Sequence, residues 1–238
     1  IFFAVDVQTL PAGDSAKAAR PVGRVAAMGI APDGNALGDA VALLQKSKRP
    51  IIIAGYGARD AMPDVVALAE QLHAPVLTTF KAKGQIADSH ALAAGVLGRS
   101  GTPVASWFMN ECDLILAVGS SFSNHTGITP KRPIIQIDFE RMALGKFHAV
   151  TVPVWAEIGV ATRAIRAALP ATMAMVDQRG ELAERWTIWR AEKQDRLRDD
   201  RGKGLNSASV FDALSRTAPR DAVIAVDVGN NTYSFGRY

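Results

Sequence analysis

Short apolar runs alternate along this chain with stretches whose apolar residues recur at helical spacing. Strands are predicted where the apolar residues are continuous, at 50–54, 75–79, 113–119, 133–138 and 149–154. Helices are predicted where they recur every three or four residues, at 35–46, 60–73, 103–112 and 157–169. Strands that are apolar on both faces and separated by helices indicate a parallel sheet. The pattern therefore predicts an α/β fold, an open parallel sheet with helices on both faces.

Glycines and an acid stand where three of the predicted strands end. Gly55 and Gly57 follow the first run, Gly119 ends the third, and Asp138 ends the fourth. Open parallel sheets bind ligands at the carboxyl ends of their strands, and glycines let backbone N–H groups approach a phosphate. These residues therefore predict a nucleotide site. The same glycines also suit tight turns without a ligand, and Asp138 also suits the cap of a following helix.

The composition excludes several classes of protein. A chain of 238 residues with 48% hydrophobic and 21% charged residues is typical of a globular protein. No apolar run approaches the ~20 residues that cross a bilayer, so we expect no membrane association. The net charge is +4, but basic residues alternate with acidic ones instead of clustering. We therefore expect no nucleic-acid partner.

The cysteine and histidine content argues against disulfides and metal sites. Cys112 is the single cysteine of the chain, which excludes an internal disulfide and favours a reducing, cytoplasmic compartment. The histidines at positions 73, 90, 125 and 148 do not have the spacing of metal ligands. No residue is therefore assigned to a metal.

The two ends of the chain predict further elements. The apolar run at 1–5 predicts a strand, and 6–33 contains prolines and glycines that predict a linker. An amphipathic helix is predicted at 181–201, and a second helix begins at Ser207. The run at 221–229 predicts a strand that ends in a glycine. The last run therefore indicates the start of a second α/β unit.

Several motifs occur in a characteristic order: Lys83-Gly84, His90, the glycines Gly95, Gly98 and Gly101, the run at 113–119, and Gln136-Ile137-Asp138. In this order they resemble the central domain of thiamine diphosphate-dependent enzymes such as acetolactate synthase and pyruvate oxidase, whose fold is Rossmann-like. The resemblance divides the chain into the end of a pyrimidine-binding domain with a linker at 1–33, a central domain at 34–170, a helical linker at 171–206, and the start of a diphosphate-binding domain at 207–238.

The resemblance implies an enzyme in which thiamine diphosphate and magnesium serve to decarboxylate or condense pyruvate or a similar 2-keto acid. The catalytic glutamate and the metal-binding motif of the family match no position here, so no catalytic residue is assigned and the isolated chain is expected to be inactive. Gly229, Asn230 and Asn231 match positions that contact the diphosphate of thiamine diphosphate. The flanking domains are the expected partners, and the full-length enzyme is expected to be a cytoplasmic homodimer or homotetramer.

Members of this family hold FAD, ADP or no ligand in the central domain. The residues that match its nucleotide-contacting positions are Gly55, Tyr56, Gly57, Thr79, Phe80, Arg99, Ser100, Gly101, Gly119 and Asp138. Residues 120–125 contain no arginine where acetolactate synthases carry one that contacts the flavin nucleotide, which counts against FAD. A stand-alone FAD-, ADP- or NAD-binding module of the same fold is the alternative.

Overall fold

The computed structural model describes residues 6, 9–11, 29–121, 123, 125–129, 131–199, 202, 204–219, 221–227 and 229–238. The strands are β1 Pro50–Ala54, β2 Val76–Thr78, β3 Ala93–Val96, β4 Leu114–Val118, β5 Ile134–Asp138 and β6 Val152–Trp155. The helices are α1 Gly34–Lys46, α2 Met62–Leu72, α3 Pro103–Glu111, α4 Ile158–Ala168, α5 Arg179–Leu197, α6 Ser207–Thr217 and α7 Asn230–Arg237. Short 3-10 turns cover Tyr56–Ala61, Phe80–Ala82 and Arg141–Ala143. The strand predicted at 1–5 lies outside the described residues.

The strands form one parallel sheet in the order β3-β2-β1-β4-β5-β6. Ile52 in β1 pairs with Val76 of β2 on one side and with Leu116 of β4 on the other. β2 and β3 therefore extend the sheet on one side of β1, and β4, β5 and β6 extend it on the other side. This order confirms the predicted α/β fold, and it places a reversal of strand order between β1 and β4.

Strand β3 was not predicted, and Gly95 within it was identified only as one of the motif glycines. It consists of Ala93, Ala94, Gly95 and Val96, and it pairs in parallel with β2. Alanine and glycine have low strand propensity, so no apolar run marks this segment. Its position at the edge of the sheet and its pairing with β2 determine the conformation instead.

Two apolar layers cover the sheet. On one face, α1, α2 and α4 bury residues such as Leu44, Leu68 and Ile165 against the strands. On the other face, α3 and α5 bury Phe108 and Trp189. The amphipathic helix α5 carries an aromatic stripe that includes Trp186 and Trp189. In the structure this stripe covers the sheet of the same chain.

Capping side chains and proline explain where two of these helices begin. The hydroxyl of Thr102 accepts the N–H of Ala105 at 3.0 Å, and Pro103 follows it at the first helical position of α3. The carboxylate of Glu157 accepts the N–H of Val160 at 2.7 Å and so caps α4. Both helices therefore start close to the positions that the sequence predicts.

The described residues of the run predicted as a strand at 221–229 are not part of the sheet. Those before Gly229 form no strand, and Val223 is 99% exposed. A strand that is apolar on both faces forms when neighbouring strands and helices cover it, and no described strand pairs with this run. The chain continues from it into α7.

Cys112 follows α3 and is buried against the sheet face that α3 and α5 cover. Desolvation by burial raises the pKa of its thiol to about 12. The side chain therefore packs as a small hydrophobic group, as its position at the end of an amphipathic helix predicts. None of the helices in the described ranges is both long enough and apolar enough to cross a bilayer.

Candidate functional site

A cavity of about 1070 Å³ opens at the carboxyl-terminal edge of the sheet. It lies where the loops after β1 and β4 meet, at the reversal of strand order, which is where open α/β sheets bind ligands. Nine of the ten residues predicted for nucleotide contact line this crevice: Gly55, Tyr56, Gly57, Thr79, Phe80, Arg99, Ser100, Gly119 and Asp138.

Three glycines form the floor of the crevice through contacts between main chains. The N–H of Gly55 donates to the carbonyl of Val118 at 2.8 Å, and the N–H of Gly57 donates to the carbonyl of Gly119 at 3.0 Å. A Cβ atom on Gly55 would lie 2.1 Å from the carbonyl oxygen of Gly119. The glycines are therefore needed to bring the two loops together. The N–H groups of Gly55 and Gly57 are already bonded within the protein, so they are not the donors that would hold a phosphate.

Gly101, the tenth predicted residue, does not line the crevice. A Cβ atom at this position would lie 2.3 Å from the carbonyl oxygen of Val96. The N–H of Gly101 donates to the carbonyl of Gly98 at 2.9 Å. Gly101 thus closes the tight connection between β3 and α3, which is a packing role.

Ser120 provides a polar group that the sequence did not single out. It lines the crevice directly after Gly119, it is 1% exposed, and its hydroxyl oxygen has no hydrogen-bond partner among the described residues. Leaving a buried hydroxyl unpaired costs about 1–3 kcal/mol, so a ligand that bonds to it gains affinity there. Ser121, Ser123 and Thr126 also line this side of the crevice. The signal was present as the serine-rich stretch that follows β4.

The two sides of the crevice carry different charges. Lys81 and Arg99, which follow β2 and β3, line one side. Asp138 and Glu140, at the end of β5, line the other side together with Lys146. Because Asp138 and Glu140 are only two residues apart, their side of the crevice suits hydrogen-bond donors of a ligand, such as hydroxyl groups. The side of Lys81 and Arg99 suits an anionic group.

Asp138 has an unusual protonation equilibrium. Desolvation by burial raises its pKa above the ordinary value, although its carboxylate accepts the N–H of Glu140 at 2.9 Å, which acts in the opposite direction. The bonded amide is that of Glu140, which precedes the 3-10 turn Arg141–Ala143 and caps it by accepting the N–H of Met142 at 3.2 Å. The interpretation of Asp138 as the cap of a following helix is therefore wrong. Asp138 does line the crevice.

Gln136 holds two walls of the crevice together from within the sheet. It is fully buried in β5, and its amide nitrogen donates to the carbonyls of Ser120 at 3.2 Å and Ala143 at 3.0 Å. Its amide oxygen accepts the N–H of Gly145 at 2.8 Å. The side chain therefore links the loop after β4 to the turn after β5. Its role was not predicted, because a polar residue inside an apolar run does not reveal its partners.

We expect Gln136→Leu to lower the free energy of unfolding by about 1–3 kcal/mol, since it leaves buried main-chain groups without partners. Urea unfolding followed by circular dichroism measures the change. Gln71→Leu is the matched control, because Gln71 makes a single bond to the carbonyl of Pro170 near the surface. An equal effect of the two substitutions would show that Gln136 does not link the walls.

The last helix also borders the crevice. Gly229 and Asn230, two of the three residues that match thiamine diphosphate positions, line it together with Thr232 and Tyr233. Asn231, the third, does not line it. These residues offer main-chain and neutral side-chain groups, and no group of three or more acids, histidines or cysteines that could hold a metal occurs in the described ranges. Gly229 and Asn230 therefore do not by themselves form a site for magnesium and the diphosphate of thiamine diphosphate.

Comparisons with known proteins agree with this architecture. A sulfoacetaldehyde acetyltransferase of Rhodobacter capsulatus is 32% identical across 84% of this chain and 39% of that protein. A pyruvate oxidase of Lactiplantibacillus plantarum is 28% identical across 87% of this chain and 34% of that protein. This chain therefore spans about two fifths or less of the length of these relatives.

A solved structure supports the fold. An enzyme from Mycobacterium smegmatis described as thiamin diphosphate-dependent superposes with a TM-score of 0.53 at 19% identity, over 63% of this chain and 30% of that chain. The family model described as the central domain of thiamine pyrophosphate enzymes matches residues 37–165, which contain the whole sheet and the loops that form the crevice. The chain belongs to the thiamine pyrophosphate enzyme family, and residues 37–165 are its central domain.

Proposed function

We propose that this chain is the central part of an enzyme that decarboxylates or condenses pyruvate or a similar 2-keto acid. Relatives named acetolactate synthase and pyruvate oxidase support a substrate of this class. Thiamine diphosphate, bound with magnesium in the full-length enzyme, would stabilise the carbanion that forms in such reactions. This chain covers 39% or less of the compared relatives, so we expect the chain alone not to consume pyruvate.

We further propose that the crevice of the central domain binds the adenosine diphosphate part of a nucleotide, either ADP or FAD. The observation that carries this proposal is the position of the crevice at the reversal of strand order between β1 and β4. The buried hydroxyl of Ser120, which has no partner within the described part of the chain, fits a ligand that brings hydrogen-bonding groups to this point. The volume of about 1070 Å³ leaves room for a nucleotide.

The charges of the crevice suggest how the nucleotide lies. Lys81 and Arg99 attract the diphosphate, because their cationic groups face the crevice on one side. Asp138 accepts a hydrogen bond from a ribose hydroxyl on the other side, as acids at this kind of strand end do. The glycine floor lets the nucleotide lie close to the main chain, but the N–H groups of Gly55 and Gly57 do not bond to it, because they bond within the protein.

The oligomeric state and the cellular compartment of the full-length enzyme are also proposals. We propose that the full-length enzyme is a homodimer or homotetramer in the cytoplasm, with the flanking domains of the same enzyme as the partners of this chain. Size-exclusion chromatography with light scattering on the full-length enzyme measures the assembly, and a monomer would contradict it.

The nucleotide proposal is tested on the purified chain. Heat denaturation followed by absorbance and mass measurement of the supernatant identifies any nucleotide that is released. Calorimetric titration of the emptied chain with ADP and with FAD then measures binding, for which we expect one site per chain. If neither nucleotide is released or bound, the crevice is not a nucleotide site.

The enzymatic proposal needs the full-length protein supplied with thiamine diphosphate and magnesium. Consumption of pyruvate or of a related 2-keto acid supports the proposal. A full-length protein that binds a nucleotide but consumes no 2-keto acid supports the alternative, a stand-alone nucleotide-binding module.

A further inference from the structure

Helix α7 forms one wall of the crevice. Its N-cap Gly229 and its residues Asn230, Thr232 and Tyr233 line the same cavity as the strand-end loops. Asn231 lies between lining residues in the sequence but does not line the cavity. One face of the first turn of α7 is therefore directed to the crevice.

Close packing fixes α7 in this position. A Cβ atom on Gly236 would lie 2.0 Å from the carbonyl oxygen of Ser100, so α7 rests directly on the main chain of a loop that itself lines the crevice. The ring of Phe235 contacts that of Phe80, with centroids 6.0 Å apart, and that of Phe211, at 6.1 Å. The helix is thus seated on the loops that follow β2 and β3.

The groups that α7 offers to a ligand are its Asn230 amide and its Tyr233 hydroxyl. The hydroxyl of Thr232 donates to the carbonyl of Asp227 at 2.7 Å and is used within the protein. The side chain of Asn230 is exposed, and Tyr233 is 47% exposed. Both stand in the same cavity as Lys81 and Arg99, the cationic side chains that follow β2 and β3.

We propose that Asn230 and Tyr233 contact the bound nucleotide, so that α7 is part of the nucleotide site. This inference rests on the proposed nucleotide binding of the central domain. It differs from the role that the resemblance gives to the segment, in which 229–231 contact the diphosphate of thiamine diphosphate. By linkage, a nucleotide that contacts α7 also stabilises α7 in its seated position.

Titration of the full 238-residue chain with ADP tests the proposal. We expect Tyr233→Ala to weaken ADP binding about tenfold, because Tyr233 lies on the Lys81 and Arg99 side of the crevice, where its hydroxyl can bond to the charged diphosphate. Asn230→Ala is expected to weaken it about threefold to tenfold through the loss of a hydrogen bond. Asn231→Ala is the matched control and is expected to leave the dissociation constant within about twofold of the parent.

A second variant moves the whole helix without removing either contact residue. Gly236→Ala places a methyl group against the carbonyl of Ser100, which displaces α7 from its seat, and we expect ADP binding to weaken as much as in Tyr233→Ala. Hydrogen exchange provides an independent readout, since ADP is expected to slow exchange of the amides of 230–237 in the parent chain.

The outcomes separate the two proposals. Weaker binding in Tyr233→Ala, Asn230→Ala and Gly236→Ala, with Asn231→Ala unchanged, supports the assignment of α7 to the site. Binding of ADP that is equal in all four variants, with no added protection of 230–237, overturns this inference and leaves the nucleotide proposal standing. A parent chain that binds neither ADP nor FAD overturns both.

Discussion

Gly55→Ala is expected to lower the free energy of unfolding by about 3 kcal/mol, at the upper end of what overpacking in a dense interior causes. The added methyl carbon would lie 2.1 Å from the carbonyl oxygen of Gly119 and 2.6 Å from the Cα of Ser120. These neighbours are main-chain atoms directly after β4. Gly119 is held by hydrogen bonds to Ile137 and Gly57, so these atoms have little freedom to move. The loops after β1 and β4 must separate, and we expect the affinity of the crevice for ADP to fall as well.

Urea unfolding and ADP titration of the same variant measure the two effects. Gly38→Ala is the control, because Gly38 lies in the exposed part of α1 with no atom within 4 Å of an added Cβ. Alanine is the better helix former, so this control is expected to gain up to about 1 kcal/mol of stability. A Gly55→Ala protein as stable as the parent would mean that the two loops do not meet as described.

Trp189→Ala is expected to lower the free energy of unfolding by about 3–5 kcal/mol, as truncation of a large buried aromatic side chain does. Trp189 is 2% exposed and, with Leu182, fastens α5 to the sheet. Its indole nitrogen has no hydrogen-bond partner among the described residues, so the loss is one of apolar contact. The guanidinium of Arg196 also lies 5.1 Å from the centre of the ring.

The neighbouring residue provides the comparison. Ile188 is 51% exposed on the outer face of α5, and Ile188→Ala is expected to change the stability by no more than about 0.5 kcal/mol. Circular dichroism during urea unfolding measures both variants. Similar stabilities for the two would indicate that α5 does not cover the sheet and that its aromatic stripe packs elsewhere.

The sequence predicted the parts of the fold that local pattern determines. β1 contains three consecutive isoleucines and β4 contains leucine, isoleucine, alanine and valine, and both stay buried along their whole length. A continuous apolar run is what strands covered on both faces require. β3 has no such run, since two alanines and a glycine precede its only β-branched residue, and its conformation comes from pairing with β2. The helical period of α5 was visible, but the surface that it covers depends on the path of the chain after α4. The domain boundaries proposed from the sequence stay predictions.

The candidate site was predictable where it depends on strand ends. Gly55, Gly119 and Asp138 were identified because each follows or ends an apolar run, and the parallel order of the strands gathers these positions at one edge. Ser120 and the role of Gln136 were missed, because an unpaired hydroxyl and the partners of a buried amide are recognised only by their surroundings. Gly101 matches a nucleotide-contacting position by resemblance and yet lies against Val96, which the motif does not reveal.

The burial of Cys112 makes the chain convenient for site-specific labelling. It is the single cysteine of the sequence, it is 1% exposed, and its pKa of about 12 keeps the thiol protonated at neutral pH. Reagents such as maleimides react with exposed thiolates, so the folded chain is expected to remain unmodified at this position. A cysteine introduced at the exposed residue 231 would therefore carry a fluorophore or a spin label alone, and the native thiol would not have to be removed.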